Sequence, residues 1–216
     1  SKAAQRDRRT GNPAAGYLQQ KYAEFFSPDA EREIDLPPVY APDVSIIIPV
    51  YGQLPYTLAC LRSISHAENE ASFEIIIVDD HSAVSDFRAL LGIENLRVQR
   101  NAENVGFLHS CNRGAKEARG RDLVFLNNDT LVTDRWLDRL IETRESFPSA
   151  GLVGSQLVFP DGKLQEAGSI VWSDGSAHNY GSGDDPTDPR YSFARKSDYV
   201  SAASVLIDRE FFESLE

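Results

Sequence analysis

Between Val44 and Phe159 the chain alternates short unbroken apolar runs with segments whose apolar residues recur every three or four positions. The runs Val44–Val50, Phe73–Val78, Leu96–Gln99, Leu123–Leu126 and Gly151–Phe159 predict strands. Leu54, Leu58, Leu61 and Ile64 predict a helix, as do Phe87, Leu90 and Leu91, then Leu108, Cys111, Ala115 and Ala118, then Trp136, Leu137, Leu140, Ile141 and Phe147. Strands that are apolar throughout are buried on both faces, so the pattern predicts an α/β fold with a mostly parallel central sheet and helices on both sides.

The flanks read differently. Tyr17, Leu18, Lys21, Tyr22, Phe25 and Phe26 predict one amphipathic helix over Ala14–Phe26, stopped by Pro28-Asp29, whose aromatic face is first a packing surface. Asp35–Pro42 predicts an extended proline-rich linker. The expected organisation is therefore an N-terminal helix and linker over 1–43 and an α/β domain over 44–216. Beyond Pro160 a tight turn is expected at Asp161-Gly162, then a loop over Trp172–Arg195 long enough to be functional or mobile, then a strand over Tyr199–Ile207 and a helix running to Glu216.

Composition narrows the function classes. A 41% hydrophobic, 25% charged chain is globular, and its net charge of -11 opposes nucleic acid binding, with no basic stripe interleaved with aromatics to overcome it. An acidic protein that binds an anion needs a metal ion or backbone N–H groups at the site. No apolar run reaches the ~18 residues of a membrane span, and Ser1–Gly16 is polar throughout, unlike a signal peptide. The two cysteines, Cys60 and Cys111, fall at apolar helix positions and read as buried thiols. With no methionine, the chain is expected to be a piece of a longer one.

In a parallel sheet three polar strand ends converge: Pro49-Val50-Tyr51-Gly52, Asp79-Asp80-His81-Ser82 and Asn127-Asn128-Asp129. An aromatic ring beside a lone carboxylate suits a nucleobase, the ring stacking and the carboxylate accepting a ring N–H. A carboxylate beside two amides suits Mg²⁺ or Mn²⁺ carrying diphosphate oxygens. Together these describe a nucleotide-diphosphate donor site. Competing readings stand beside them: Asn128, Asp129 or Thr130 as helix N-cap, Asp79-Asp80 as cap of the following helix, and Tyr51 as a strand-end packing residue. His81 reads as a turn residue. Gly-x-Gly-x-x-Gly and Walker signatures are absent, against a Rossmann dinucleotide site or a P-loop.

Four ordered motifs, Val44-Ser-Ile-Ile-Ile-Pro-Val-Tyr51, Glu74-Ile-Ile-Ile-Val-Asp-Asp-His-Ser82, Asn104-Val-Gly-Phe107 with Asn112-Arg-Gly114, and Phe125-Leu-Asn-Asn-Asp-Thr130, resemble family 2 glycosyltransferases of the GT-A fold. Asp161-Gly-Lys-Leu-Gln-Glu-Ala-Gly168 and Asp198-Tyr-Val-Ser-Ala-Ala-Ser204 are similar to the branch with rhamnosyltransferase-like and O-antigen-type enzymes. The resemblance covers Val44–Glu216. It implies that Pro49 and Tyr51 line the base pocket, and that Asp80 takes the base N–H. Asn104, Gly106, Phe107 and Asn112 would approach the donor, Asn128 would face the ribose, and Asp129 would hold Mn²⁺ or Mg²⁺. Gln165-Glu166 would lie near the sugar or acceptor. Asn127 departs from the family's Asp-x-Asp and leaves one carboxylate there.

By the same resemblance the activity is that of an inverting glycosyltransferase. It would move sugar from a UDP- or dTDP-sugar to a hydroxyl of a carbohydrate or lipid-linked carbohydrate acceptor, in cell-surface polysaccharide synthesis. The expected location is cytoplasmic, peripheral at the inner membrane, alongside further domains of the parent chain. The catalytic base is expected beyond Glu216, so these residues should bind donor without efficient turnover, and Glu166 is the first candidate should a base lie within the chain. The rivals are a non-catalytic donor-binding or scaffold module and a nucleotidyltransferase. For the latter, Gly52-Gln53-Leu54-Pro55 lacks a glycine-rich basic phosphate loop.

Overall fold

The computed structural model describes residues 13–26 and 34–215. The expected helix stop at Pro28-Asp29 and the terminal Glu216 lie outside the described residues. By internal contacts the chain divides into two compact units. One holds residues 156–199 with most of the first helix, and the other holds 34–155 and 200–215 with that helix's last residue, Phe25. This division does not follow the expected boundary at residue 43. Leu36, in the expected linker, is 5% exposed within the second unit's core, and Asn95 Nδ2 donates to its carbonyl at 2.7 Å.

The elements run α1 (Pro13–Phe25), β1 (Val44–Val50), α2 (Leu54–His66), β2 (Phe73–Asp79), α3 (Val84–Leu91), β3 (Arg97–Arg100), α4 (Phe107–Lys116), β4 (Asp122–Leu126), α5 (Trp136–Ser146), β5 (Val153–Gly154), β6 (Leu157–Val158), β7 (Leu164–Glu166), β8 (Ser169–Val171), β9 (Ala177–Asn179), β10 (Ser204–Asp208) and α6 (Arg209–Glu213). A six-stranded sheet has the order β3-β2-β1-β4-β10-β5. Strands β1 to β4 are parallel, while β10 pairs antiparallel with β4 and β5. The chain builds outward from β1 to β3, then returns to place β4 on β1's other side. That reversal leaves a crevice at the carboxyl ends of β1 and β4, where α/β sheets take their ligands.

Strand burial on both faces follows from residue parity. Ile46, Ile48, Val50, Ile75, Ile77, Val124, Leu126 and Leu206 pack with Leu58, Leu61 and Ile64 of α2, Leu90 of α3, and Leu137 and Leu140 of α5. The intervening Ile47, Ile76, Val78, Leu123, Phe125, Val205 and Ile207 pack with Cys111 and Ala115 of α4. At ~1.5–3 kcal/mol for each fully buried large aliphatic side chain, these two clusters dominate the unit's stability. Helix α4 lies close on the sheet: a Cβ at Gly114 would stand 2.5 Å from Ile47 Cγ2. Pro49 is tolerated inside β1 because pairing with β4 ends at Ile47, and the Val50 carbonyl already serves β2 through Asp80 N–H at 2.7 Å.

Two expected strands are shorter than their apolar runs. Gly151–Phe159 splits into β5 and β6, because Ser155 bonds Ser204 through both N–H and hydroxyl, and the chain then leaves the sheet. Of Tyr199–Ile207 only the last part, shifted to Ser204–Asp208, is strand, and it is antiparallel. The Trp172–Arg195 segment, expected as one loop, contains a strand and a series of turns. Within its unit β8 and β9 form a hairpin with Trp172 N donating to Ser176 O at 2.8 Å. Asp174, Asp185 and Asp188 each accept the N–H two residues on, and Arg195 lies 3.8 Å over the Tyr180 ring.

The sheet's opposite edge is tied by one buried carboxylate. Glu74 accepts Ser45 Oγ at 2.7 Å, Arg97 Nη1 at 2.7 Å, Arg119 Nη2 at 2.7 Å and Arg119 N at 2.8 Å. Burial pushes its carboxyl up, but the bonds from Arg119, Ser45 and Arg97 outweigh it and bring it from 4.5 to about 2. A depressed folded pKa contributes stability that is full above the unfolded value and is lost as pH falls from 4.5 toward 2. Urea midpoints measured from pH 6 to pH 2 are expected to fall more steeply for the native protein than for Glu74→Gln across that window. The neighbouring turn is equally constrained, since a Cβ at Gly120 would stand 2.5 Å from Ser45 N. Gly120→Ala is expected to cost ~1–3 kcal/mol in equilibrium unfolding, because the obstruction is backbone that cannot rotate away.

Candidate functional site

The second unit brings the three polar strand ends to one edge. The register aligns Val50 with Asp79 and Asp79 with Arg100, and Gly52 N donates to Ser82 Oγ at 2.7 Å. Gly52 and Gln53 both have left-handed φ values, 64° and 56°, and turn the chain sharply from β1 into α2. Tyr51 stands on this corner 64% exposed, so it is no packing residue and its ring is open to a planar partner.

Asp80 is only 4% exposed, and its carboxylate is held by the loop that follows β3. Oδ1 accepts Asn101 Nδ2 at 2.8 Å and Val105 N at 2.9 Å, and Oδ2 accepts Gly106 N at 2.8 Å. Burial would raise this carboxyl, yet the bonds from Val105, Asn101, Gly106 and Ser110 together hold it below the usual carboxylate range. Each carboxylate oxygen has two acceptor positions; Asn101 and Val105 fill those of Oδ1, Gly106 takes one of Oδ2, and Ser110 is a fourth donor to the group. Gly106, at φ 86° and ψ 166°, is the residue from which α4 starts, a conformation open essentially to glycine alone. Asp80 therefore anchors the entry to α4 and does not cap α3, whose N-cap is Ala83 with no side-chain cap bond.

Asp79 has a different task. Fully buried, it accepts Ser82 N at 3.1 Å and pairs with Arg100 Nη1 at 3.0 Å, while Arg100 Nη2 also donates to Ser82 O at 2.6 Å. Two adjacent acids thus divide the work, one shaping its own turn and the other the loop across the edge. His81 follows them, exposed at φ 68°, as the turn residue its position predicts.

At the end of β4, Asn128 Nδ2 donates to the buried Thr57 Oγ1 at 3.0 Å, and Thr130 Oγ1 donates to Asn127 O at 2.6 Å. Helix α5 begins six residues later at Trp136 with Arg135 as N-cap, so the capping alternative for Asn128, Asp129 and Thr130 is wrong. Asp129 is exposed, with no ion pair or hydrogen bond to its carboxylate among the described residues. No cluster of three or more acidic, histidine or cysteine ligands occurs among the described residues. A single open carboxylate fits a hard cation that draws its other oxygens from diphosphate and water, and does not fit an all-protein cage.

The remaining expected residues scatter in role. Asn104 and Phe107 are exposed at the start of the α4 face, and Asn112 is half-buried within α4. Gln165 and Glu166 belong to the other unit, on β7, with Glu166 buried and paired in register with Leu157. Both cysteines are free, and burial pushes each thiol up to about 12, so neither is a nucleophile. Sequence reasoning missed Asn101, Ser110 and Arg100. The available signal was Arg100, which ends β3 in register with Asp79, with Asn101 directly after it, but the expected strand stopped at Gln99.

The Glycosyl transferase family 2 model matches residues 45–212. The O-antigen biosynthesis protein RfbC of Myxococcus xanthus is 30% identical over 207 residues, 91% of this chain but 16% of that protein. The uncharacterized protein y4gI of Sinorhizobium fredii is 30% identical over 185 residues, 81% of this chain and 20% of that one. The chain thus spans a fifth or less of these relatives' lengths. In fold it is similar to the mannosyltransferase PcManGT from Pyrobaculum calidifontis, solved in complex with GDP-Man and Mn²⁺. The TM-score is 0.55 at 19% identity, over 94% of this chain and 57% of that one. An α/β sheet of this order, with its strand ends converging as above and the family model matched across 45–212, shows that the chain has the GT-A fold and belongs to glycosyl transferase family 2.

Proposed function

We propose that this chain binds the donor of an inverting glycosyltransferase, a UDP- or dTDP-sugar, for transfer to a hydroxyl of a carbohydrate or lipid-linked carbohydrate acceptor in cell-surface polysaccharide synthesis. The single observation that carries the reading is the grouping on one sheet edge of an open aromatic ring, Tyr51, a locked carboxylate, Asp80, and an open carboxylate, Asp129. Tyr51 flanks the base at the end of β1, the strand in which Pro49 is buried, and Asp80 takes the base's imino N–H. Asn104, Gly106, Phe107 and Asn112 border the donor from the α4 side, and Asn128 meets the ribose. Asp129 holds a divalent cation, Mn²⁺ or Mg²⁺, which when bound neutralises charge on the departing diphosphate. No described helix is long and apolar enough to cross a membrane, and the proposed location is the cytoplasm, at the inner membrane's surface. A scaffold module has no reason to bind nucleotide, so calorimetric titration with UDP, dTDP and GDP separates it from this reading and identifies the base.

Asp80→Asn is expected to weaken UDP or dTDP binding by ~1–3 kcal/mol, since a charge-assisted bond becomes a neutral one. Asp79→Asn should act on stability first, through its pair with Arg100. Equal nucleotide affinity for the native protein and Asp80→Asn would remove Asp80 from the base pocket.

The single carboxylate at the end of β4 gives a second expectation. Mn²⁺ alone should bind poorly and bind better with UDP present, because the diphosphate supplies the missing oxygens. Asp129→Ala should abolish that coupling while leaving the melting temperature of the nucleotide-free protein unchanged. Tight Mn²⁺ binding without nucleotide, or coupling that survives Asp129→Ala, would count against the assignment.

A further inference from the structure

Asn101 holds Asp80 and is itself bonded through every polar group of its side chain. It is 4% exposed and lies directly after β3. Nδ2 donates to Asp80 Oδ1 at 2.8 Å and to Ser110 Oγ at 2.9 Å, and Oδ1 accepts Arg113 Nη1 at 2.6 Å. Its backbone N–H donates to Asp79 O at 2.8 Å, and its carbonyl meets His81 Nδ1 at 3.4 Å. One residue thus joins the end of β2, the end of β3 and two positions on α4.

The chemistry demands an amide. The position needs two donors toward Asp80 and Ser110 and one acceptor toward Arg113, a set that asparagine supplies and aspartate does not. A carboxylate here would face Asp80 across hydrogen-bond distance and repel it. An alanine would leave both Asp80 Oδ1 and the Arg113 guanidinium short of a partner. Because Oδ1 also receives Val105 N and its sister oxygen receives Gly106 N, the orientation of the Asp80 carboxylate and the path of the 101–106 loop are one variable.

We propose that Asn101 is a positioning residue for the donor site: through Asp80 it sets both the carboxylate's direction and the Val105-Gly106 backbone that borders the nucleotide. This rests on the donor reading above, so its test carries one measurement that needs no ligand. Amide hydrogen exchange on the nucleotide-free protein is expected to quicken about tenfold or more at Val105 and Gly106 in Asn101→Ala, with Ile46–Ile48 still protected. Unchanged exchange at Val105 and Gly106 would overturn the proposal. In the second measurement, Asn101→Ala should weaken UDP binding about tenfold in the native background and under about twofold in Asp80→Asn. A merely structural role predicts the same factor in both backgrounds, and that result would also overturn it. Should Asn101→Ala fail to fold, Ser110→Ala removes one partner of the same amide and is expected to shift both readouts in the same direction. A native protein that binds no UDP, dTDP or GDP would overturn the donor reading, and the exchange measurement would still decide what Asn101 does.

Discussion

A carboxylate buried beside an open crevice cannot stand without donors, and this constraint organises the ligand edge of the molecule. Asp80 finds them in a side-chain amide and two consecutive backbone N–H groups. Backbone donors of that kind exist only where the chain is neither helix nor strand, so the loop before α4 must stay irregular and Gly106 must adopt its unusual φ. Where α4 begins is then set by hydrogen bonding, and where it lies is set by the close approach of Gly114 to Ile47. The need to satisfy one acid therefore fixes a helix entry and a ligand-bordering loop together.

The opposite edge is built on the same physics to a different end. Glu74 is as buried as Asp80, but its partners are the guanidinium groups of Arg97 and Arg119, with Ser45 and one backbone N–H. That saturates the acid and leaves nothing to offer a ligand. On the strand-end side the charges are distributed unevenly: Asp79 is closed by Arg100, Asp80 is held by neutral donors alone, and Asp129 is open. Buried acids at the two ends of the strands thus serve as fastening and as recognition surface, and the partner sets, not the acids, make the difference.

Much of this was legible in the chain, and the failures have identifiable causes. The apolar runs revealed β1, β2 and β4 and their burial on both faces, because a strand covered twice has no polar position to spare. The polar residues that end those strands marked the crevice. The direction of β10 was not legible, since a buried strand carries the same pattern whichever way it runs. The capping alternative at Asn128–Thr130 looked equal on local chemistry, and only the distance to Trp136 decides against it. Asn101 went unread because its partners lie in separate segments, Asp80 before it and Ser110 and Arg113 after it, and a lone asparagine in a loop has many bland explanations. The Trp172–Arg195 stretch read as one loop because aspartate favours both loops and turns, and its β8–β9 hairpin was not legible in it.

The ends of the six-stranded sheet bear on how this polypeptide meets others. Its border strands are β3, with arginine at both ends, and β5, only two residues long. An incoming chain that sought to extend the sheet would meet a four-residue strand, its arginines already engaged by Glu74 and Asp79, at one border and almost no ladder at the other. Strand addition to this sheet, a standing hazard of open sheets, therefore has little ladder to work on at either border.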